Sequence, residues 1–227
     1  MELLNRFFEM VYVNAIALGR WQMFMDGLVV TLQITAGAAV MGVIIGLALT
    51  FFRMSGILPL ELFAKIYIGV IRGTPVVLQL LIINATIFAT ARGMGVWVGI
   101  VAFGINSGAY VCEIVRAGIQ SIDKGQTEAG RSLGLSSRQT MSFIVLPQAV
   151  KNILPALANE SIILIKETSI VGFVAVADIT RVSQQISSRT FNVIPMFVAA
   201  AFYLVLVSVL TFFLSKLEKK LRESDAR

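Results

Sequence analysis

The sequence predicts an all-α, polytopic membrane protein. Of its 227 residues 57% are hydrophobic and only 14% are charged, against about 25% charged in an ordinary soluble domain. Residues 27–52 contain no Asp, Glu, Lys or Arg, and this run exceeds the roughly 20 apolar residues a helix needs to cross a bilayer. Similar runs recur to the C-terminus. The pattern predicts five spans, a folded cytoplasmic loop and an N-terminal helix on the membrane surface, in one domain over residues 1–227.

Composition also excludes much. There is no histidine and one cysteine, Cys112. Histidine-dependent triads, intramolecular disulfides and multi-cysteine metal sites are therefore absent. No G-x-x-x-x-G-K-[ST] phosphate loop occurs, so the chain lacks the usual means of holding ATP. No serine has a base in register, which disfavours an intramembrane enzyme. The net charge is +6. The basic tail at Lys216, Lys219, Lys220 and Arg222 fits a cytoplasmic membrane flank and needs no nucleic-acid partner.

The elements follow in order. Residues 1–20 lack the basic start of a signal peptide, and Glu2 and Glu9 interrupt them. Leu3, Leu4, Phe7, Phe8 and Val11 recur at helical spacing, as in a helix lying in the interface. Residues 27–52 are the first span. The second covers residues 73–91 and begins near Pro59. The third is residues 93–112. The fourth, residues 152–177, is interrupted by Glu160, Lys166 and Glu167, and the fifth is residues 190–215.

Charge bias orients these spans. One set of flanks holds Arg53, Lys65, Arg116, Lys124, Arg131, Arg138, Lys151 and the basic tail. The other holds Arg6, Arg20, Arg92, Arg181 and Arg189. The richer set belongs in the cytoplasm, with the N-terminus outside and the C-terminus inside. Four Gly-x-x-x-Gly pairs lie in or beside apolar segments: Gly42/Gly46, Gly69/Gly73, Gly95/Gly99 and Gly104/Gly108. They predict close helix packing, since a missing side chain lets backbones approach. The fifth pair, Gly130/Gly134, lies in a polar loop.

That loop, residues 118–148, reads as a compact knob. Asp123 caps a helix that Gly134 ends. Ser136 and Gln139 form a capping box for a second helix. Pro147 permits a change of direction before the fourth span. Ala129, Gly130 and Leu133 give the first helix a face suited to a groove on another protein.

Charges at membrane depth are costly and are paired or functional. Glu113 and Arg116 stand at i, i+3 and suit an ion pair. Arg72 precedes Thr74 and Pro75, where it is placed to satisfy carbonyls freed by the proline in a kinked, hinge-like segment. Glu160, Ile163, Leu164 and Glu167 share one helix face. A buried Glu160 needs a cation, a proton or a ligand. Lys166, an arginine elsewhere in the chain, or the ammonium or guanidinium of a substrate would each serve. Asn84 and Asn106 suit either a substrate's α-groups or interhelical bonding.

The loop pattern resembles the E-A-A-x3-G-x9-I-x-L-P signature of ABC-importer permeases, through Glu128, Ala129, Gly130, Gly134, Ile144, Leu146 and Pro147. Gly130 replaces the second alanine. "RGTPVVLQ" from Arg72, "YVCEIVRAGIQSI" from Tyr110, "KETSIV" from Lys166 and "DGLVVTLQIT" from Asp26 resemble the polar amino-acid branch of that family. The resemblance implies a permease subunit in a bacterial inner membrane, for polar amino acids with basic ones as candidates. It implies separate ATPase subunits that hold ATP and Mg, a second permease subunit and an extracytoplasmic substrate-binding protein. Glu128, Ala129, Gly130, Leu133, Gly134 and Leu135 would form the ATPase-coupling helix. Lys166 and Glu167 would make conformational contacts. The competing reading is an ion-coupled carrier acting alone, with Glu160 and Glu167 as ion sites.

Overall fold

In the computed structural model α2 (Arg20–Arg53) and α5 (Gly95–Gln120) form the most extensive helix pair. The structure describes residues 1–91 and 93–223. Arg92, residues 224–227, and the side chains of Glu2, Leu3, Leu4, Arg6, Phe7, Arg222 and Glu223 lie outside the described residues. The expected Leu3, Leu4 and Phe7 stripe, and the charges expected at Arg6, Arg92 and Arg222, therefore fall outside them.

Glycines bring α2 and α5 together. A Cβ on Gly42 would lie 2.8 Å from Ser107, and one on Gly108 2.5 Å from Ile45. A Cβ on Gly46 would collide with Val111, and one on Gly104 would lie 2.8 Å from Met41. Any side chain at these four positions would push the axes apart. The buried hydroxyls of Thr31, Thr35 and Thr50 donate to the carbonyls of Gly27, Thr31 and Gly46 one turn back, so the apolar contact contains no unmet donor there. Gly69 and Gly73 behave differently: neither would meet a heavy atom within 4 Å, so this pair packs no helix of its own chain.

The second span is broken. α3 (Leu58–Gly73) and α4 (Val76–Thr86) meet at a 107° bend. Thr74 and Pro75 are extended there (ψ 146° and 132°), because proline cannot donate to the preceding turn and biases the residue before it out of the helical region. The expected kink is thus a full corner.

Beyond α5 come α6 (Lys124–Ser132), α7 (Ser137–Thr140) and a π turn, Met141–Val145, that runs directly into α8 (Leu146–Glu167). Val145 and Leu146 are both right-handed helical. Pro147 therefore does not redirect the chain. It sits in the first turn of α8, and the wider π turn before it accommodates its missing donor. The fourth span consequently starts earlier than residue 152. It tightens into a 3-10 segment, Thr168–Val174, after Glu167.

An unexpected helix, α9 (Ile179–Thr190), follows. Its sequence is too polar for a span, yet Ile179, Val182 and Ile186 pack on Phe24 of α2 and Ala199 of α10 (Ile194–Glu223). Asp178, itself fully buried, caps it by accepting from the Thr180 and Arg181 amides at 3.1 and 2.9 Å, and from the Tyr203 hydroxyl at 3.1 Å. α9 therefore fills the interval between the expected fourth and fifth spans and meets the latter only at Thr190. α1 (Glu2–Val11) is a helix, as its periodicity predicts. Among the described residues four helical stretches are long and apolar enough to cross a membrane, and α3 with α4 makes a fifth if the bent pair is one span. Among the described residues there is no strand.

Candidate functional site

The loop after α5 is a closed knob. Asp123 Oδ1 accepts from the Gly125 amide at 2.6 Å and starts α6. Gly134 ends it at φ +85°, a conformation that glycine adopts without steric cost. The amides of Gly134 and Leu135 return to the carbonyls of Arg131 and Gly130, and Arg131 Nη1 donates to the Leu135 carbonyl at 2.8 Å. Ser136 and Gln139 complete the reciprocal cap of α7. Gly130 is buried, and a Cβ there would lie 2.7 Å from Ile144 and 2.9 Å from Thr140. The set expected to face a partner thus divides. Glu128, Ala129 and Leu133 are exposed, Leu133 by 82%, whereas Gly130 faces the knob's own interior. Leu135 is half-buried, and exposed Gly134 forms the turn.

Just above the knob, Glu113 of α5 binds two arginines. Arg116 contacts its Oε2 at 2.6 Å, as spacing predicts, and Arg53 at the end of α2 pairs with Oε1. The Arg53 contact bridges 60 residues of chain and was invisible in local spacing. Asn152 of α8 donates to Ser121 at 2.9 Å nearby. These contacts tie α2, α5 and α8 together close to the start of the knob in the chain.

At the corner between α3 and α4, Arg72 does not serve the freed carbonyls. Its guanidinium lies 5.2 Å from the ring centre of Tyr110 on α5, a cation–π distance. Gln79 serves the carbonyls instead. Its Nε2 donates to the carbonyl of Ile71 at 2.8 Å and to Thr74 Oγ1 at 2.8 Å. Its Oε1 accepts from Asn106 Nδ2 at 2.9 Å.

Glu160 is 7% exposed and has no cation among the described residues. Its one hydrogen-bond partner among the described residues is Ser107, which donates at 3.0 Å. Lys166 points elsewhere and is exposed. Glu160 lines a cavity of about 260 Å³ between α2, α5, α8 and α10, with Val43, Ser107, Val111, Leu157, Ser161 and Leu217. A carboxylate held in apolar surroundings by a single hydroxyl favours a proton or a cationic guest. Asn84, half-buried on α4, and Asn106 do not line this cavity. The three residues expected to share a pocket are not brought together. Glu167, two turns beyond Glu160, is half-buried. Among the described residues no cluster of three or more His, Cys, Asp or Glu side chains is placed to hold a metal ion.

A bundle of apolar helices with a broken second span and a folded helical knob is the architecture of a multi-pass transport component. The chain belongs to the binding-protein-dependent transport system inner membrane component family, which matches residues 38–223. It is 41% identical to the arginine transport system permease protein ArtQ of Bacillus subtilis (strain 168), over 88% of this chain and 93% of that one. It is 38% identical to the glutamine transport system permease protein GlnP of Escherichia coli (strain K12), with the same coverage. A crystal structure of an amino acid ABC transporter with histidines superposes with TM-score 0.86 and 42% identity, covering 94% of this chain and 98% of that one. An inward-facing methionine transporter, MetNI, shares the fold at TM-score 0.78 and 19% identity, over 91% and 99%.

Proposed function

We propose that this chain is the permease subunit of an ATP-driven importer for polar amino acids, with a preference for cationic ones. It forms the pathway with a second permease subunit and receives substrate from an extracytoplasmic binding protein. ATP and Mg are held by separate ATPase subunits, and this chain holds none. The observation that carries the reading is the knob. It is a folded element with an exposed Glu128, Ala129 and Leu133 face on a chain with no phosphate loop of its own. The names of the arginine and glutamine relatives support the substrate class. The N-terminus lies outside and the C-terminus inside, so that the knob meets the ATPase in the cytoplasm.

When the ATPases close on ATP, the knob moves with them. The contacts of Glu113 with Arg53 and Arg116 carry that movement into α2 and α5. Glu160 holds the substrate's cationic group in the cavity, and Ser107 orients the carboxylate. A photocrosslinker placed at Leu133 tests the docking. Capture of the ATPase subunit is expected, and labelling of lipid or solvent alone would refute it. Glu160→Gln tests the pocket. Uptake of cationic amino acids should fall most, whereas an equal loss for every substrate would mark Glu160 as structural.

A further inference from the structure

A corner of 107° inside an apolar bundle exposes carbonyls at the end of one helix that the next cannot satisfy. Such a corner is a hinge if nothing replaces those bonds, and a rigid joint if something does. Here Gln79 replaces them, and it is buried. Its amide nitrogen reaches the Ile71 carbonyl, the Thr74 carbonyl and Thr74 Oγ1 at 2.8, 3.2 and 2.8 Å. Its oxygen is consumed by Asn106. The amide therefore donates across the corner and accepts from α5 at once, which neither an ionised carboxylate nor a cationic side chain can do. Tyr67 adds a second tie, donating from α3 to the Ile105 carbonyl of α5 at 2.8 Å. Arg72 adds a third on Tyr110.

The α5 residues involved are consecutive. Ile105 and Asn106 hold the corner, and Ser107 holds Glu160. We infer that Gln79 is a positioning residue that fastens the corner to α5 beside the Glu160 site, so that α3, α4 and α5 travel as one block during transport. Asn106 is then part of this joint and not a substrate ligand. The inference builds on the proposed transport function but does not depend on what Glu160 binds.

The test uses the full complex with its ATPase, in a Cys112→Ala background. Spin labels replace exposed Leu62 on α3 and Ile82 on α4, and labelled complexes are diluted with unlabelled permease. Between nucleotide-free and ATP-bound states the distance should change by less than about 2 Å, the scale of small shifts between packed helices. A change of about 5 Å or more, one helical turn, would make the corner a hinge and overturn the proposal. In Gln79→Leu the same distance distribution should broaden and the ratio of substrate-stimulated to basal ATP hydrolysis should drop. A narrow distribution with an unchanged ratio would also overturn it. If Gln79→Leu does not assemble, the distances in complexes that keep Gln79 remain decisive. Glu160→Gln should leave them unaltered, which separates failure of the joint from failure of the pocket reading.

Discussion

Leu133→Ala removes a side chain from the tip of the knob without touching its interior. Leu133 is 82% exposed and caps the end of α6, where its amide returns to the Ala129 carbonyl. That backbone bond survives the substitution, so the knob keeps its shape. Leucine exceeds alanine by three carbons, each contributing about 0.8 kcal/mol when buried. Scaled by the exposed fraction, docking into a partner groove should bury about 2 kcal/mol of this difference. Affinity for the ATPase should fall roughly thirtyfold per knob. Titrating ATPase onto permease in nanodiscs measures this directly, with α-helical content as the folding control. An affinity within twofold of the parent, roughly 0.4 kcal/mol, would show that this face does not dock.

Gly130→Leu should act from within the knob. Its Cβ would press on Ile144 and the stiff Thr140, an overpacking of about 1–3 kcal/mol that splays α6 from the π turn. Substrate-stimulated ATP hydrolysis should fall while membrane insertion persists. Gly134→Leu should be milder, adding only left-handed strain of about 1–2 kcal/mol in open space. Glu113→Gln removes the charge shared by Arg53 and Arg116, of which, among the described residues, only Arg116 keeps a second acceptor in Gln120, and should cost about 2 kcal/mol in thermal stability. Arg53→Met should cost less, because Arg116 still pairs with Glu113. Burial raises the Asp178 pKa above the ordinary 3.8, against the opposing hydrogen bonds from Arg181, Thr180 and Tyr203. The folded state therefore binds the proton more tightly, and stability falls as pH rises from 3.8 through the raised value. Asp178→Asn keeps the cap and should flatten that slope in melting curves recorded across pH.

Much of this architecture was legible because membrane folding leaves strong local signals. Uncharged runs located the spans, and glycine spacing found the α2–α5 seam at Gly42, Gly46, Gly104 and Gly108. Asp123, Gly134, Ser136 and Gln139 set the knob through contacts within four residues. What failed was what depends on distant partners. α9 is too short and polar to register as a span, although Asp178 before Ile179, Val182 and Ile186 carried a cap-plus-period signal. The Gly69/Gly73 pair looked like Gly42/Gly46 but faces no helix of this chain. Arg72 was the obvious group for the carbonyls near Pro75. Gln79 took that role because a neutral amide can also accept from Asn106, which a guanidinium cannot. Glu160 was correctly singled out as buried, but sequence gave no way to see that Ser107 is its only described partner.

The most direct test of the account is uptake into proteoliposomes. The chain reconstituted with its ATPase and binding protein should accumulate cationic amino acids only when ATP is supplied on the knob side. The chain alone should carry nothing under a proton or sodium gradient. Gradient-driven uptake by the chain alone would contradict the account and establish an independent carrier.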